Sequence, residues 1–170
     1  METDRKFLIN FIRQTIPISH NVAENIAGNF QRTTLKKNDF LLQQGRVCNK
    51  YVFLENGFMR AYTFDTDANK VTTNFYEEGS VVFEVASYFK RTPSQENIQA
   101  LTECTGWQGN YDKFQVLFHT IPEFREFGRS ILVNGVEIKT GDIATCTTKI
   151  HCFLLRYYGY LSQQDQKRIF

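Results

Sequence analysis

GRVCNKYVFLENGFMRAYTF, from Gly45 to Phe64, sets two apolar runs on either side of Asn56-Gly57. Both of those residues tolerate the positive φ that the centre of a type I′ turn requires, so the pattern predicts a tight β-hairpin. With a two-residue turn, Leu54 faces Met59, Val52 faces Ala61, Phe53 faces Arg60 and Tyr51 faces Tyr62. One side of the ribbon is then aliphatic and the other aromatic. Neither side suits water, so the ribbon is expected inside a sandwich or barrel.

The chain on both sides of this stretch supports a β-rich centre. From Thr33 onward the apolar residues alternate or run continuously over Thr33–Leu35, Phe40–Leu42, Tyr51–Leu54, Phe58–Phe64, Val71–Tyr76, Ser80–Phe83, Asn97–Leu101 and Thr105–Gln108. Turn residues separate them at Lys36-Lys37-Asn38-Asp39, Gly45, Asn56-Gly57, Asp65 to Asn69, Glu78-Gly79 and Pro93-Ser94, spacing that suits an antiparallel jelly roll. Helical spacing flanks the roll. Phe7, Leu8, Phe11 and Ile12 mark one amphipathic helix, with Thr3 or Asp4 as its cap and Pro17 as its stop. A second helix is capped by Ser19 and carries Val22, Ala23, Ile26, Ala27 and Phe30. After the roll, Asp112 is expected to cap a helix carrying Phe114, Leu117 and Phe118. Pro122 opens another, with Phe124, Phe127, Ile131 and Leu132 on one face.

Composition bounds the function classes. The 170 residues suffice for one domain with a sizeable core, and 16 Phe with 8 Tyr favour strands over an Ala/Leu-rich bundle. Twenty Lys plus Arg against 18 Asp plus Glu leave a net charge of +2, too small to argue for nucleic acid or an anionic membrane by bulk charge. No apolar run has the ~18 residues of a membrane span, and the first residues lack a secretory h-region, so the expected location is the cytoplasm with free thiols. Cys146, His151 and Cys152 match no zinc spacing, and His20, His119 and His151 are too dispersed for a metal-dependent roll enzyme. Glu77-Glu78 beside Gly79 reads as a solvated turn, and Arg60 as a cation stacked on Phe53 or Tyr62. No metal site and no enzyme activity are expected.

The order of these features resembles the cyclic-nucleotide-binding-domain family, in particular the sensor half of Crp/Fnr-type transcription regulators. The matching residues are Leu35-Lys36-Lys37-Asn38-Asp39-Phe40-Leu41-Leu42, Gln44 to Cys48, Tyr51 to Tyr62, Ile98-Gln99-Ala100-Leu101 and Ile121-Pro122-Glu123-Phe124, spanning roughly 30–130. The resemblance implies a double-stranded β-helix in which a Gly-Glu pair at a short helix and a following Arg hold the cyclic nucleotide. In this chain the candidate ligand-binding residues are Phe83, Glu84, Val85, Arg91, Thr92, Ser94 and Gln95. Glu84 stands at the acidic position, but Phe83 replaces the glycine and Ser94 the arginine. Arg91-Thr92 restores an Arg pair only with a three-residue insertion that brings in Pro93, which has no N–H. Loss of the guanidinium costs a buried phosphate roughly 1.5 to 3 kcal/mol, tenfold or more in affinity, which weighs against a cyclic nucleotide as ligand.

The expectation is therefore a mainly β chain with flanking helices: a β-roll domain over residues 1–134, then a helical extension over 135–170 as dimer helix or linker. Gly135, Thr140-Gly141 and Thr145 are poor helix formers and place the helix beyond Asn134 in question. Residues 157–170 read as one short helix, with no recognition helix. The functional expectation is the effector-sensing and dimerisation part of a Crp/Fnr-type regulator with a degenerate pocket. Its partners would be a small-molecule effector and a second copy, with DNA reached only through a helix-turn-helix domain outside this chain, and no membrane. Binding beneath Glu84 to Gln95 would shift the Pro122 to Asn134 helix and so the two protomers. The alternative is a stand-alone small-molecule-binding or protein-interaction module that never touches DNA.

Overall fold

The computed structural model describes the backbone of residues 5–140 and the side chains of residues 5–132. The chain divides into two units, Met1–Leu132 and Val133–Phe170. Two helices open the first unit. In α1 (Lys6–Thr15) Leu8, Ile9 and Ile12 are buried, as their spacing requires, and the helix follows Arg5, which makes no side-chain cap. Thr3 and Asp4, the expected caps, lie outside the described residues. For α2 (His20–Ala27) the expected cap forms, the Ser19 hydroxyl accepting the Val22 N–H at 3.4 Å.

Eight strands follow: β1 (Gln31–Leu35), β2 (Phe40–Leu42), β3 (Lys50–Asn56), β4 (Met59–Phe64), β5 (Lys70–Tyr76), β6 (Val81–Val82), then a short α3 (Val85–Lys90), β7 (Asn97–Ala100) and β8 (Cys104–Asn110). They form two four-stranded antiparallel sheets, β1-β8-β3-β6 and β2-β7-β4-β5. The chain passes from one sheet to the other at almost every connection, which is the winding of a β-roll. Two helices follow β8: α4 (Tyr111–Thr120), and α5 (Pro122–Thr140), which begins in this unit and runs past its end at Leu132. The cap of α4 is Asn110, whose side chain accepts the Lys113 N–H at 2.9 Å. Asp112, expected there, sits in the first turn, where its charge faces the positive end of the helix. α5 passes through Asn134-Gly135 and reaches Thr140, so local propensity does not end it.

The predicted Asn56-Gly57 hairpin does not form, because β3 and β4 lie in different sheets. Asn56 remains in its strand opposite Thr105, and the positive φ falls on Gly57 at +102°, whereas a type I′ turn needs two such residues. The segment is a corner, held by a second corner between β7 and β8. The Phe58 N–H donates to the Thr102 hydroxyl at 3.0 Å, and the Phe58 carbonyl accepts from the Leu101 N–H at 2.8 Å. A Cβ on Gly57 would lie 2.5 Å from the Glu103 carbonyl oxygen, so the two corners close only around a glycine. The sequence-adjacent hairpin is β4–β5, with Met59 opposite Tyr76 and Phe64 opposite Lys70. Its turn is organised by Asp65, whose carboxylate accepts the Asp67 and Asn69 N–H groups; those bonds from Asn69 first of all hold its pKa down.

The division of β3 into two faces does hold. Tyr51 and Phe53 enter an aromatic cluster, with Phe53 at 5.4 Å from Phe11, 5.2 Å from Phe30 and 5.7 Å from Phe127 between ring centroids. Tyr51 meets Phe30, Tyr88 and Phe114 edge-on at 5.8 to 6.0 Å. These contacts fasten α1, α4 and α5 to the outer face of the first sheet. Leu54 belongs to the core with Met59, Ala61, Tyr76, Val82, Ile98 and Ala100, none more than 9% exposed. Met59 pairs with Tyr76 and Ala100, and Ala61 with Ile98, so these side chains share the inner face of the second sheet.

Candidate functional site

The segment Phe83 to Gln95 leaves β6, makes α3 and returns to β7. Glu84 precedes the helix, and both of its carboxylate oxygens are engaged there: Oε1 accepts the Ala86 N–H at 2.9 Å and Oε2 the Ser87 N–H at 2.6 Å. Two of the N–H groups at the start of the helix are thus satisfied by a carboxylate of the chain itself. Val85 begins the helix. Phe83 turns toward the helix side, its ring 5.4 Å from Tyr88 and 6.2 Å from Tyr51.

Arg91 ends α3 in the left-handed region, with φ 57° and ψ 34°. Its guanidinium lies 3.8 Å from the centroid of the Tyr111 ring and donates to the carbonyls of Cys48 at 3.0 Å and Tyr88 at 3.1 Å, and to the Asn49 side chain. It therefore straps α3 to the β2–β3 connection and to the start of α4. Beside it, the buried Ser87 hydroxyl accepts the Cys48 N–H at 2.9 Å and donates to the Thr92 carbonyl at 2.5 Å. Ser94, 1% exposed, closes the segment: its carbonyl accepts the Gly45 N–H at 2.8 Å and its N–H donates to the Arg46 carbonyl at 2.9 Å. Its hydroxyl folds back onto the Glu96 backbone at 3.0 Å. Gln95 is exposed and accepts the Thr63 hydroxyl through its carbonyl at 3.1 Å.

The seven candidate residues thus lie around α3, and the Glu84 carboxylate, the Arg91 guanidinium and the Ser94 hydroxyl are directed at the protein. Glu84 caps, Arg91 straps, Ser94 braces and Phe83 packs. Sequence reasoning missed Tyr76, Ser87, Tyr88 and Tyr111. Tyr76 is buried on the inner face, and burial pushes its hydroxyl up to about 12, with Glu96, Glu84 and Cys48 close enough to add to the shift. Burial also raises the pKa of the Cys48 thiol and of Tyr88, above all by loss of hydration. The sequence marks Val71–Tyr76 as a strand, but alternation sets Tyr76 with Thr72 and Asn74 rather than with Val71 and Phe75, and nothing local announced its neighbours.

Two openings flank this region. One is an apolar cavity of about 20 Å³ between Tyr51, Phe53, Phe83, Tyr88, Phe114 and Phe127, about the size of one water and too small for a nucleotide. The other is an open groove of about 250 Å³ along Phe40 to Gln43 and Arg46, Val47, Asn49 and Lys50, with no carboxylate in its lining.

Residues 32–120 match the cyclic nucleotide-binding domain family, just over half of the chain. The chain belongs to that family. Solved structures agree in fold. A cyclic nucleotide-binding domain from Methylobacillus flagellatus superposes with a TM-score of 0.67 at 11% identity, covering 76% of this chain and 74% of that one. The catabolite activator protein of Thermus thermophilus gives 0.63 at 12% identity, covering 86% of this chain and 63% of that one, so the chain spans less than two thirds of that regulator. The regulatory subunit of a cAMP-independent protein kinase A from Trypanosoma cruzi, bound to guanosine, gives 0.58 at 12% identity, covering 78% and 50%. No curated protein matches the chain by sequence. This cyclic nucleotide-binding domain therefore has the expected roll with flanking helices. No helix among its described residues is long and apolar enough to cross a membrane. Cys146, His151, Cys152 and residues 157–170 lie outside the described residues.

Proposed function

We propose that this cyclic nucleotide-binding domain is the effector-sensing and dimerisation part of a Crp/Fnr-type regulator, regulatory rather than catalytic and cytoplasmic, whose pocket does not take a cyclic nucleotide. One observation carries the second part: the carboxylate and the guanidinium nearest the cradle, Glu84 and Arg91, both satisfy groups of the chain itself. A cyclic phosphate would have to break the Glu84 cap and detach Arg91 from two carbonyls and the Tyr111 ring before gaining either.

The regulator part rests on the helix that follows the roll and on the likeness to the Thermus catabolite activator protein. We divide the chain as a β-roll domain over 1–134 and an extension over 135–170 that serves as dimer helix or linker. A chain of rings runs from the cradle toward that helix: Phe83 to Tyr88 at 5.4 Å, Tyr88 to Phe114 at 5.8 Å and Phe114 to Phe124 at 5.3 Å. A displacement of α3 would thus be felt at the first turns of α5. DNA would be contacted only through a helix-turn-helix domain joined to such a roll. Titration calorimetry with cyclic AMP and cyclic GMP tests the pocket, with no heat of binding expected. Sedimentation tests the dimer, with a two-chain species expected.

The alternative, a stand-alone small-molecule-binding module, is favoured by the open groove, whose Arg46 and Lys50 face no carboxylate in its lining. Binding of a small organic anion that is lost in Arg46→Ala would support that version over the regulator.

A further inference from the structure

Among the described residues the outer faces of the two sheets are covered differently. The outer face of β1-β8-β3-β6 lies under the aromatic side chains of α1, α4 and α5, whereas on the outer face of β2-β7-β4-β5 Phe40 remains 37% and Phe64 43% exposed. Register places Phe40, Gln99, Arg60 and Phe75 in one row across the four strands, and Asn97, Tyr62 and Thr72 in the next, with Phe64 opposite Lys70 beyond them. Tyr62 is 3% exposed, with Arg60 and Lys70 over its ring at 4.8 and 5.0 Å from the centroid and the Phe64 ring 5.6 Å away.

The chemistry of this face is one-sided. β2, β4, β5 and β7 contain no Asp or Glu. Of the carboxylates that flank these strands, Asp39 accepts the Lys36 N–H at 2.8 Å and Asp65 the Asp67 and Asn69 N–H groups, while Glu77 follows β5 and Glu96 precedes β7. Among the described residues the Arg60 guanidinium and the Lys70 ammonium make no ion pair, Arg60 Nε has no acceptor, and the buried Asn97 Nδ2 likewise has none. Exposed Phe rings beside Arg60, on strands that contain no carboxylate, form the composition of a protein interface rather than of an ordinary solvated sheet. A second copy is a poor occupant, because a two-fold contact through this face would set Arg60 and Lys70 against cations.

We propose that the outer face of the β2-β7-β4-β5 sheet docks an acidic, apolar segment of a partner protein, with Arg60 and Lys70 meeting its carboxylates and Phe40 and Phe64 its apolar side chains. The site is distinct from the α3 cradle and does not depend on whether a nucleotide binds there. The test is selection of random short peptides against the full chain, followed by affinity measurement with the enriched peptide. Enrichment of Asp or Glu beside apolar residues is expected. Affinity should fall about tenfold or more in Lys70→Glu and in Arg60→Glu, should weaken in Phe64→Ser, and should return for Lys70→Glu when a peptide carboxylate is exchanged for lysine. Lys70 stands at the hairpin rim, so its variant keeps the test valid if Arg60→Glu misfolds. Peptides without acidic residues, affinities unchanged in both charge variants, displacement of the peptide by an oligo-dT strand, or self-association abolished by Lys70→Glu would each overturn the proposal.

Discussion

Single positions decide whether the corners of the roll can close. Gly57 and Gly45 both have positive φ, +102° and +83°, but a Cβ on Gly57 meets Glu103 and Cys104 atoms at 2.5 to 2.9 Å, while one on Gly45 meets nothing within 4 Å. Gly57→Ala should therefore cost at least about 2 kcal/mol of stability and Gly45→Ala about 1 kcal/mol, as read from urea denaturation midpoints. Equal losses would mean that backbone strain, rather than the contact between corners, sets the cost. Glu84 offers a second contrast. As a helix cap, its replacement by Ala should lower stability by about 1 kcal/mol. A side chain held in reserve for a ligand would leave stability unchanged.

At the scale of elements, strand existence was legible and strand partnership was not. Alternation tells which side chains turn inward, so Leu54, Met59 and Ala61 were readable as one buried set. It does not tell which sheet a strand joins. Asn56-Gly57 carries a strong hairpin signal, yet the bonds that settle its shape come from Leu101 and Thr102, more than forty residues away. The six residues of α3 are too few to show a helical period, so the cradle was placed by resemblance, and the directions of Glu84 and Arg91 were beyond local pattern. The aromatic split of β3 gives the matching prediction. Phe53→Ala should cost about 3 to 5 kcal/mol, because α1 and α5 both pack on that ring. Phe64→Ala, at a ring that is 43% exposed, should stay within about 0.5 kcal/mol by thermal or chemical denaturation.

Across the whole molecule, the interior of the roll is packed with the chain's own side chains, and Tyr76 reports on this by its titration. Its hydroxyl has an ordinary value of 10 and is raised by burial to about 12 in the fold. The folded form thus keeps its proton where the unfolded form has lost it. This contribution to stability is whole below pH 10 and disappears as pH rises toward 12. Tyr76→Phe should flatten the fall in stability across that window, as followed by denaturation at a series of alkaline pH values; an unchanged slope would place the Tyr76 hydroxyl in water. The most direct measurement remains titration calorimetry of the purified chain with cyclic AMP and cyclic GMP. With Glu84 and Arg91 committed to capping and strapping α3, neither nucleotide should give a saturable heat. A saturable isotherm that Glu84→Ala abolishes would contradict the account.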